Sequence, residues 1–177
     1  MDGQPAIKQD NDRLTVSFSR RIPNIAAQQV GYCALPTGQV LVFSQWRALK
    51  DIKVAELVDH PFYWMAIPGY LPTRTVEQRG NEVWSIDGKL QMQILGGTGG
   101  KVEKEGLLDS VRGEPFSAKA GEVLADSVCV YQAELPNRAP LIAKGDAHRV
   151  NLGEWIVERA DDGRLTVTKS ASARTGQ

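Results

Sequence analysis

Residues 83–112 read VWSIDGKLQMQILGGTGGKVEKEGLLDSVR, an apolar run, a loop of glycines with one threonine, and a run mixing charged and apolar residues. This order predicts a central strand over 83–95, a loop over 96–100 and a helix over 101–112. A glycine loop before a helix N-terminus presents backbone N–H groups to an anion such as a phosphate. We therefore expect either a loop that binds a phosphate or pyrophosphate group, or a plain connector. The loop residues are Gly96, Gly97, Thr98, Gly99 and Gly100.

Within the predicted strand, Asp87-Gly88 is also a dipeptide that is common in hairpin turns. A two-residue turn there would place Trp84 opposite Gln91 and mix apolar with polar side chains on one face. A continuous strand, or a three-residue bulged loop, keeps Trp84 and Met92 on the same apolar face. We expect one of these two arrangements, with that face against the predicted helix.

Composition is that of a soluble, single-domain globular protein. The 21 acidic and 21 basic residues leave no net charge, so nothing favours nucleic acid or an anionic membrane as partner. The chain lacks an apolar run of about eighteen residues, and its N-terminus lacks the layout of a signal peptide. Cys33 and Cys129 show no metal-ligand or redox spacing, which predicts two buried free thiols and a cytoplasmic protein.

The polar ends of the chain, 1–12 and 170–177, are predicted to be disordered, which leaves one domain over 13–169. Leu14, Val16 and Phe18 alternate with polar residues, as in a half-buried strand.

Further along the chain, two hairpins are predicted, over 30–43 with a turn at Pro36-Thr37-Gly38 and over 154–169 with a turn at Asp161-Asp162-Gly163. Apolar spacing over 46–58 predicts a helix with Ser44 as its N-cap, and 25–29 predicts a short helical turn. The fold class expected is α+β, a mixed and mostly antiparallel sheet with flanking helices and a β-rich C-terminal part.

Three patches resemble the toxin-activating lysine acyltransferases, the family that acylates RTX haemolysins. IPNIAAQQ (22–29) is similar to the family's Pro-x-Ile-x-x-x-Gln entry. QV (39–40) with SQWRAL (44–49) is similar to its Pro-Val strand and Trp-Ala-x-Leu motif. GNEVWSID (80–87) resembles the stretch that carries its catalytic aspartate. The resemblance covers about residues 22–100.

The resemblance implies an acetyltransferase-like fold and transfer of an acyl group from acyl carrier protein or acyl-CoA to a protein lysine. The donor would be a substrate, with no permanently bound cofactor and no metal. The partners implied are acyl carrier protein and a protein acceptor, and a homodimer stays open. Gln93, Gly96 and Thr98 also stand near the Arg/Gln-x-x-Gly-x-Gly/Ala pattern that cradles the pyrophosphate of acyl-CoA in such folds.

The acid–base pair is where this sequence departs from the family. Asp87 stands in the place of the family's catalytic aspartate, but no histidine precedes Ile22, where the family has its catalytic histidine. His60 is the candidate replacement base, and His148 is the second choice. The competing hypothesis is a non-enzymatic structural or interaction protein, either a degenerate member of that fold or a virion or assembly component.

Overall fold

The computed structural model describes residues 4–10, 13–63, 76–79, 82–85, 90–95, 100–102, 107–112, 114–133 and 142–170. The regular elements in these residues are all β-strands. They are β1 Ala6–Asp10, β2 Arg13–Ile22, β3 Ala26–Ala34, β4 Gln39–Ala48, β5 Ile52–Val54, β6 Leu57–Tyr63, β7 Val76–Arg79, β8 Glu82–Ser85, β9 Leu90–Leu95, β10 Gly100–Val102, β11 Leu107–Arg112, β12 Phe116–Ala118, β13 Val123–Ala133, β14 Lys144–Gly145, β15 Arg149–Leu152, β16 Trp155–Arg159 and β17 Leu165–Lys169.

The strands form antiparallel sheets, and two of these build the centre of the molecule. The large sheet has eight strands in the order β1-β2-β3-β4-β13-β9-β8-β7. The small sheet has four strands in the order β14-β15-β16-β17. A three-stranded sheet, β10-β11-β6, and a two-stranded sheet, β12-β5, complete the described part.

The small sheet packs on one face of the large sheet, which we call the covered face. Side chains alternate between the two faces of a strand, so every second residue of β3, β4 and β13 points into this interface. The main core forms here, from Cys33, Leu35, Leu41, Phe43, Val128, Val130, Ala143, Val150, Leu152, Trp155 and Val157. The covered face is therefore the core of a two-layer β architecture.

Two smaller clusters lie on the opposite face of the large sheet. One consists of Val42, Met92 and Cys129, from three neighbouring strands. The other gathers Trp46 and Leu124 with small buried residues near β5 and β12. Both faces of the central strands β4 and β13 are thus largely buried, and the middle of each strand, 41–43 and 128–130, is apolar.

The expected α+β class is wrong for the described residues, because strands replace both predicted helices. Residues 46–58 contribute to β4, β5 and β6, and Trp46 lies opposite Gln28 of β3 and Ala125 of β13. Residues 101–112 contain β10 and β11, which pair with each other. The apolar spacing that matched a helical period therefore came from several short strands, each buried by its own neighbours.

The N-terminal part of the large sheet also differs from the expectation. The helical turn predicted for 25–29 falls in β3, and Ser44 lies inside β4 instead of capping a helix. Ala6–Asp10 forms β1 within the segment that was predicted to be disordered, and it pairs with β2. The domain limits and the C-terminal tail, of which 171–177 lie outside the described residues, stay predictions.

The continuous central strand over 83–95 is wrong as well. Glu82–Ser85 and Leu90–Leu95 are separate strands that pair antiparallel, with Trp84 opposite Gln91 and Val83 opposite Met92. This is the register that the sequence argument rejected, because that argument assumed a single buried face. Gln93 and Met92 point to opposite faces of β9, and both side chains are buried. At these two positions both faces of the strand are therefore interior.

Two predicted hairpins are confirmed. β3 and β4 pair around Pro36-Thr37-Gly38, and Gly38 takes the positive φ of 88° that favours glycine. β16 and β17 pair around Asp161-Asp162-Gly163, with Gly163 at φ 82°. In both cases a local turn signal sets the register of the strands on either side.

Candidate functional site

Of the residues nominated from the sequence, the described structure includes His60, Gln93, Gly100 and His148. His60 belongs to β6 and Gly100 begins β10, both in the three-stranded sheet, whereas Gln93 lies in β9 of the large sheet. The others lie outside the described residues, and their roles stay predictions. These are Asp87, Gly96, Gly97, Thr98 and Gly99.

Gln93 is hydrogen-bonded to the backbone of Ala143. Its Nε2 donates to the carbonyl oxygen of Ala143 at 3.0 Å, and its Oε1 accepts from the Ala143 backbone N–H at 2.9 Å. The carboxamide thus makes the pair of hydrogen bonds that the backbone of a neighbouring strand would make. These bonds link the chain before β14 to the large sheet. Because Gln93 is only 8% exposed, we assign it to the architecture of the covered face.

A polar cluster lies at one end of the covered face, between the two sheets. It consists of Gln45 and Arg47 of β4, Asp126 of β13, Arg159 of β16 and His148 just before β15. Gln45 and Asp126 face each other across β4 and β13. Arg47 donates to the Gln45 Oε1 at 3.0 Å and to the Gly121 carbonyl oxygen at 2.6 Å. Sequence patterns pointed only to His148 among these residues.

His148 lies between a cation and an anion. Its Nδ1 is 3.4 Å from Arg159 Nη2, and its Nε2 is 3.5 Å from Asp126 Oδ2. A guanidinium can only donate, so Nδ1 can accept from Arg159 only in the tautomer that carries its proton on Nε2, towards Asp126. Asp146 orients the segment, because its Oδ1 accepts the backbone N–H of His148 at 2.8 Å. This bond, with a second from the Arg149 N–H, lowers the pKa of Asp146.

Arg159 is the most deeply buried charge of the cluster, at 5% exposure. Burial lowers the pKa of its guanidinium, and the Asp126 carboxylate acts in the opposite direction. Its Nε donates to the Ala147 carbonyl oxygen at 3.1 Å. A buried arginine held by a carbonyl, a histidine and a nearby carboxylate joins the small sheet to the large one.

The histidine–aspartate pair invites comparison with catalytic arrangements, which need a nucleophile beside the histidine. The nearest hydroxyl in sequence to Asp126 is that of Ser127. Consecutive residues of a strand point to opposite faces, so Ser127 lies on the other side of the large sheet from His148. In the described residues this cluster therefore connects the two sheets, and we assign no group-transfer reaction to it.

A different feature, the apolar patch, lies on the face opposite to the small sheet. It is formed by Ile7 of β1, Leu14, Val16 and Phe18 of β2, Tyr32 of β3 and Val40 of β4. The exposed fractions are 67% for Ile7, 40% for Leu14, 39% for Tyr32 and 37% for Val40.

Cross-strand pairing makes these side chains contiguous: Val16 lies opposite both Ile7 and Tyr32, and the rings of Phe18 and Tyr32 stack at 6.1 Å. The alternation of Leu14, Val16 and Phe18 was visible in the sequence, but their exposure was not. An exposed, contiguous apolar surface of this kind is typical of an interaction site.

Two other kinds of feature are absent from the described residues. No group of three or more His, Cys, Asp or Glu residues there could hold a metal ion. None of the elements described is a helix long and apolar enough to cross a membrane.

The sequence matches no protein-family model and, at significant similarity, no curated protein. The functional proposal therefore rests on the residues and contacts of this chain.

Proposed function

We propose that this protein is a non-enzymatic interaction protein that assembles with a second copy of itself through the apolar patch. The observation that carries the proposal is the strand β2. Its apolar residues alternate regularly with polar ones, yet Leu14 is exposed and Val16 and Phe18 are only half-buried. An apolar sheet face is stable when another layer covers it.

A second copy is the partner that the chemistry of the patch favours. None of its six side chains is charged, so two patches that face each other bring no like charges together. The chain already buries the other face of the same sheet by packing sheet on sheet. A two-fold axis would place each patch against an identical, equally apolar surface.

The acyltransferase hypothesis predicted a glycine loop followed by a helix that starts at residue 101. The described residues 100–102 and 107–112 are strands, so the helix dipole that would have faced the donor has no counterpart there. The absence of this helix from the described residues supports an interaction protein. The acyltransferase, with Asp87 and the loop 96–99, is the alternative hypothesis in the test.

The test is a measurement of molecular mass in solution, by light scattering or sedimentation equilibrium, over a range of protein concentrations. We expect the wild type to be a dimer and Leu14→Lys to be a monomer, because a buried charge opposite its own copy is strongly unfavourable. Thr168→Lys is the matched control, since it adds the same charge to an exposed position of β17, and it should remain a dimer.

A wild type that stays monomeric at every concentration contradicts the proposal, and so does a Leu14→Lys variant that remains dimeric. The enzyme alternative is measured on the same samples by thermal shift with acyl-CoA and acyl carrier protein. A ligand that binds the folded state raises the unfolding temperature. We expect no shift, and a clear shift would favour the acyltransferase.

A further inference from the structure

A groove runs between the edge of the small sheet and the first two strands of the large sheet, on the covered face. Its volume is about 390 Å³, and Lys8, Thr15 and Ser17 line one side. Arg164, Leu165 and Thr166 line the other. A smaller space of about 80 Å³ lies at the same edge, next to Asp10, Arg13 and Val167. The groove meets the apolar patch only at Ile7 of the edge strand β1, and the other five residues of the patch do not line it.

One wall of the groove is a strand edge with no paired strand among the described residues. In the described part of the chain the small sheet ends at β17, which pairs with β16. Ser170 N donates to the Glu154 carbonyl oxygen and Ala160 N donates to the Arg164 carbonyl oxygen, so the even-numbered residues 164–170 bond towards β16. Hydrogen-bonded and non-hydrogen-bonded pairs alternate in an antiparallel ladder. The backbone N–H and C=O groups of Leu165, Val167 and Lys169 therefore point away from β16, towards the groove side.

A side chain of this protein already uses that edge once. Arg13 Nη1 donates to the Val167 carbonyl oxygen at 3.0 Å, which confirms the direction of this carbonyl. The same guanidinium pairs with Asp10 at 2.7 Å and lies over the Trp155 ring, 5.4 Å from its centroid. Arg13 thus closes one end of the groove and fixes the distance between β2 and β17, while the backbone of Leu165 faces the larger space.

The wall at Leu165 is held in place from behind. Gly31 of β3 lies directly under this side chain, and a Cβ at that position would stand only 3.0 Å from Leu165 Cδ1. The close approach depends on the missing side chain of Gly31. A wall that is fixed in this way is preorganised, so a bound segment does not have to order it.

The charges around the groove favour an acidic occupant. Of the three cations that line it, Arg13 pairs with Asp10 at 2.7 Å and Arg164 pairs with Asp162 at 2.6 Å, which leaves Lys8 as the positive charge that faces an occupant. We propose that the groove binds an extended peptide segment with an acidic side chain, which joins the small sheet as an additional strand beside β17. The backbone of Leu165 would bond to the peptide backbone, and Lys8 would face its carboxylate.

The experiment titrates the isotope-labelled protein with the blocked peptide acetyl-Thr-Val-Glu-Val-Thr-amide and follows backbone amide signals by NMR. We expect shifts concentrated at Lys8, Leu165 and Thr166. The same peptide with lysine in place of glutamate should bind about fivefold more weakly, as expected for exposed ion pairs. A version with N-methylated backbone amides should lose binding by about tenfold, because it cannot pair with β17.

Lys8→Glu should lower the affinity for the acidic peptide about fivefold, and the matched control Lys144→Glu, at an exposed position of β14 outside the groove, should leave it unchanged. Equal binding of the acidic and basic peptides, full binding of the N-methylated peptide, or no shift at saturating peptide would overturn the proposal. Shifts at Leu14 and Tyr32 in place of Leu165 would overturn it too. Oligomeric state is measured separately, so either proposal can fail alone.

Discussion

Near Cys33, the two faces of strand β3 differ in how far they are buried. Cys33 points to the covered face and is fully buried under the small sheet, whereas the neighbouring Tyr32 points to the apolar patch and is 39% exposed. Gly31, on the covered side, lies directly under Leu165 of β17. One strand with one backbone thus has an interior side and a surface side, and both are largely apolar. Apolar patterning alone therefore does not tell which side of a strand becomes core.

The largest effect is expected on the covered face. Phe43→Ala removes a fully buried aromatic ring from the main core, and we expect the free energy of unfolding to fall by about 3–5 kcal/mol. Urea denaturation followed by circular dichroism measures this loss. A loss below about 1 kcal/mol would mean that Phe43 is poorly packed, and the covered face would then not be the main core.

Cys33 makes the covered face sensitive to alkaline pH. Burial raises the pKa of its thiol from 9.0 to about 11, while the nearby Arg13 acts in the opposite direction. Between these values the unfolded chain loses the proton and the folded chain keeps it, so stability falls as pH rises. The stabilisation is fully present below pH 9.0 and is lost by about pH 11. This difference between the folded and unfolded pKa corresponds to about 2–3 kcal/mol of stability.

The check on this prediction is urea unfolding at several pH values across that window, for the wild type and for Cys33→Ala. The alanine variant should lose less stability across the window than the wild type. Equal pH dependence in the two proteins would show that Cys33 titrates freely. Cys129, whose pKa is also raised by burial, contributes to both proteins and cancels in the comparison.

A third change concerns the contact between the two sheets. Gly31→Ala should destabilise the protein by about 1–3 kcal/mol, because the new methyl group would lie 3.0 Å from Leu165 Cδ1 and force it to move. Thermal unfolding measures the cost. In a Leu165→Ala background the obstruction is gone, so adding Gly31→Ala should cost much less. Simple additivity of the two substitutions would contradict the contact.

The smallest effect on folding is expected on the open side of the same strand. Tyr32→Ala removes an exposed ring that stacks on Phe18, and the free energy of unfolding measured in dilute solution should fall by about 1 kcal/mol or less. Dimer formation should weaken clearly in the same variant, as measured by sedimentation equilibrium. If Tyr32→Ala unfolds the monomer as strongly as Phe43→Ala does, the two faces do not differ as described.

Strong local signals led to correct predictions. The hairpin of β3 and β4 and that of β16 and β17 follow from turns in which Gly38 and Gly163 accept a positive φ. The burial of Cys33 and Cys129 was also predicted correctly. These features depend on residues close together in the chain, or on a run of apolar residues that no surface position would favour.

Non-local pairing explains the errors. Residues 46–58 and 101–112 have an apolar spacing that fits a helix, but strand partners such as β12 for β5 and β6 for β11 come from distant parts of the chain. The polar cluster was missed for the same reason, since Asp126 and Arg159 meet only when two sheets pack. The signal available in the sequence was the charge of Asp126 within β13 and of Arg159 within β16, two strands that are otherwise largely apolar.

From the amino-acid order it was possible to predict where the chain turns in two hairpins, the apolar–polar alternation of β2, and the burial of both cysteines. Only the folded structure revealed that the described regular elements are strands, that Gln93 bonds to Ala143, and that Leu14 on the apolar side of β2 is exposed. These two sets of features differ because a turn is set by the φ and ψ preferences of two or three residues. Burial is set by what other segments do, and those segments are dozens of residues away in the chain.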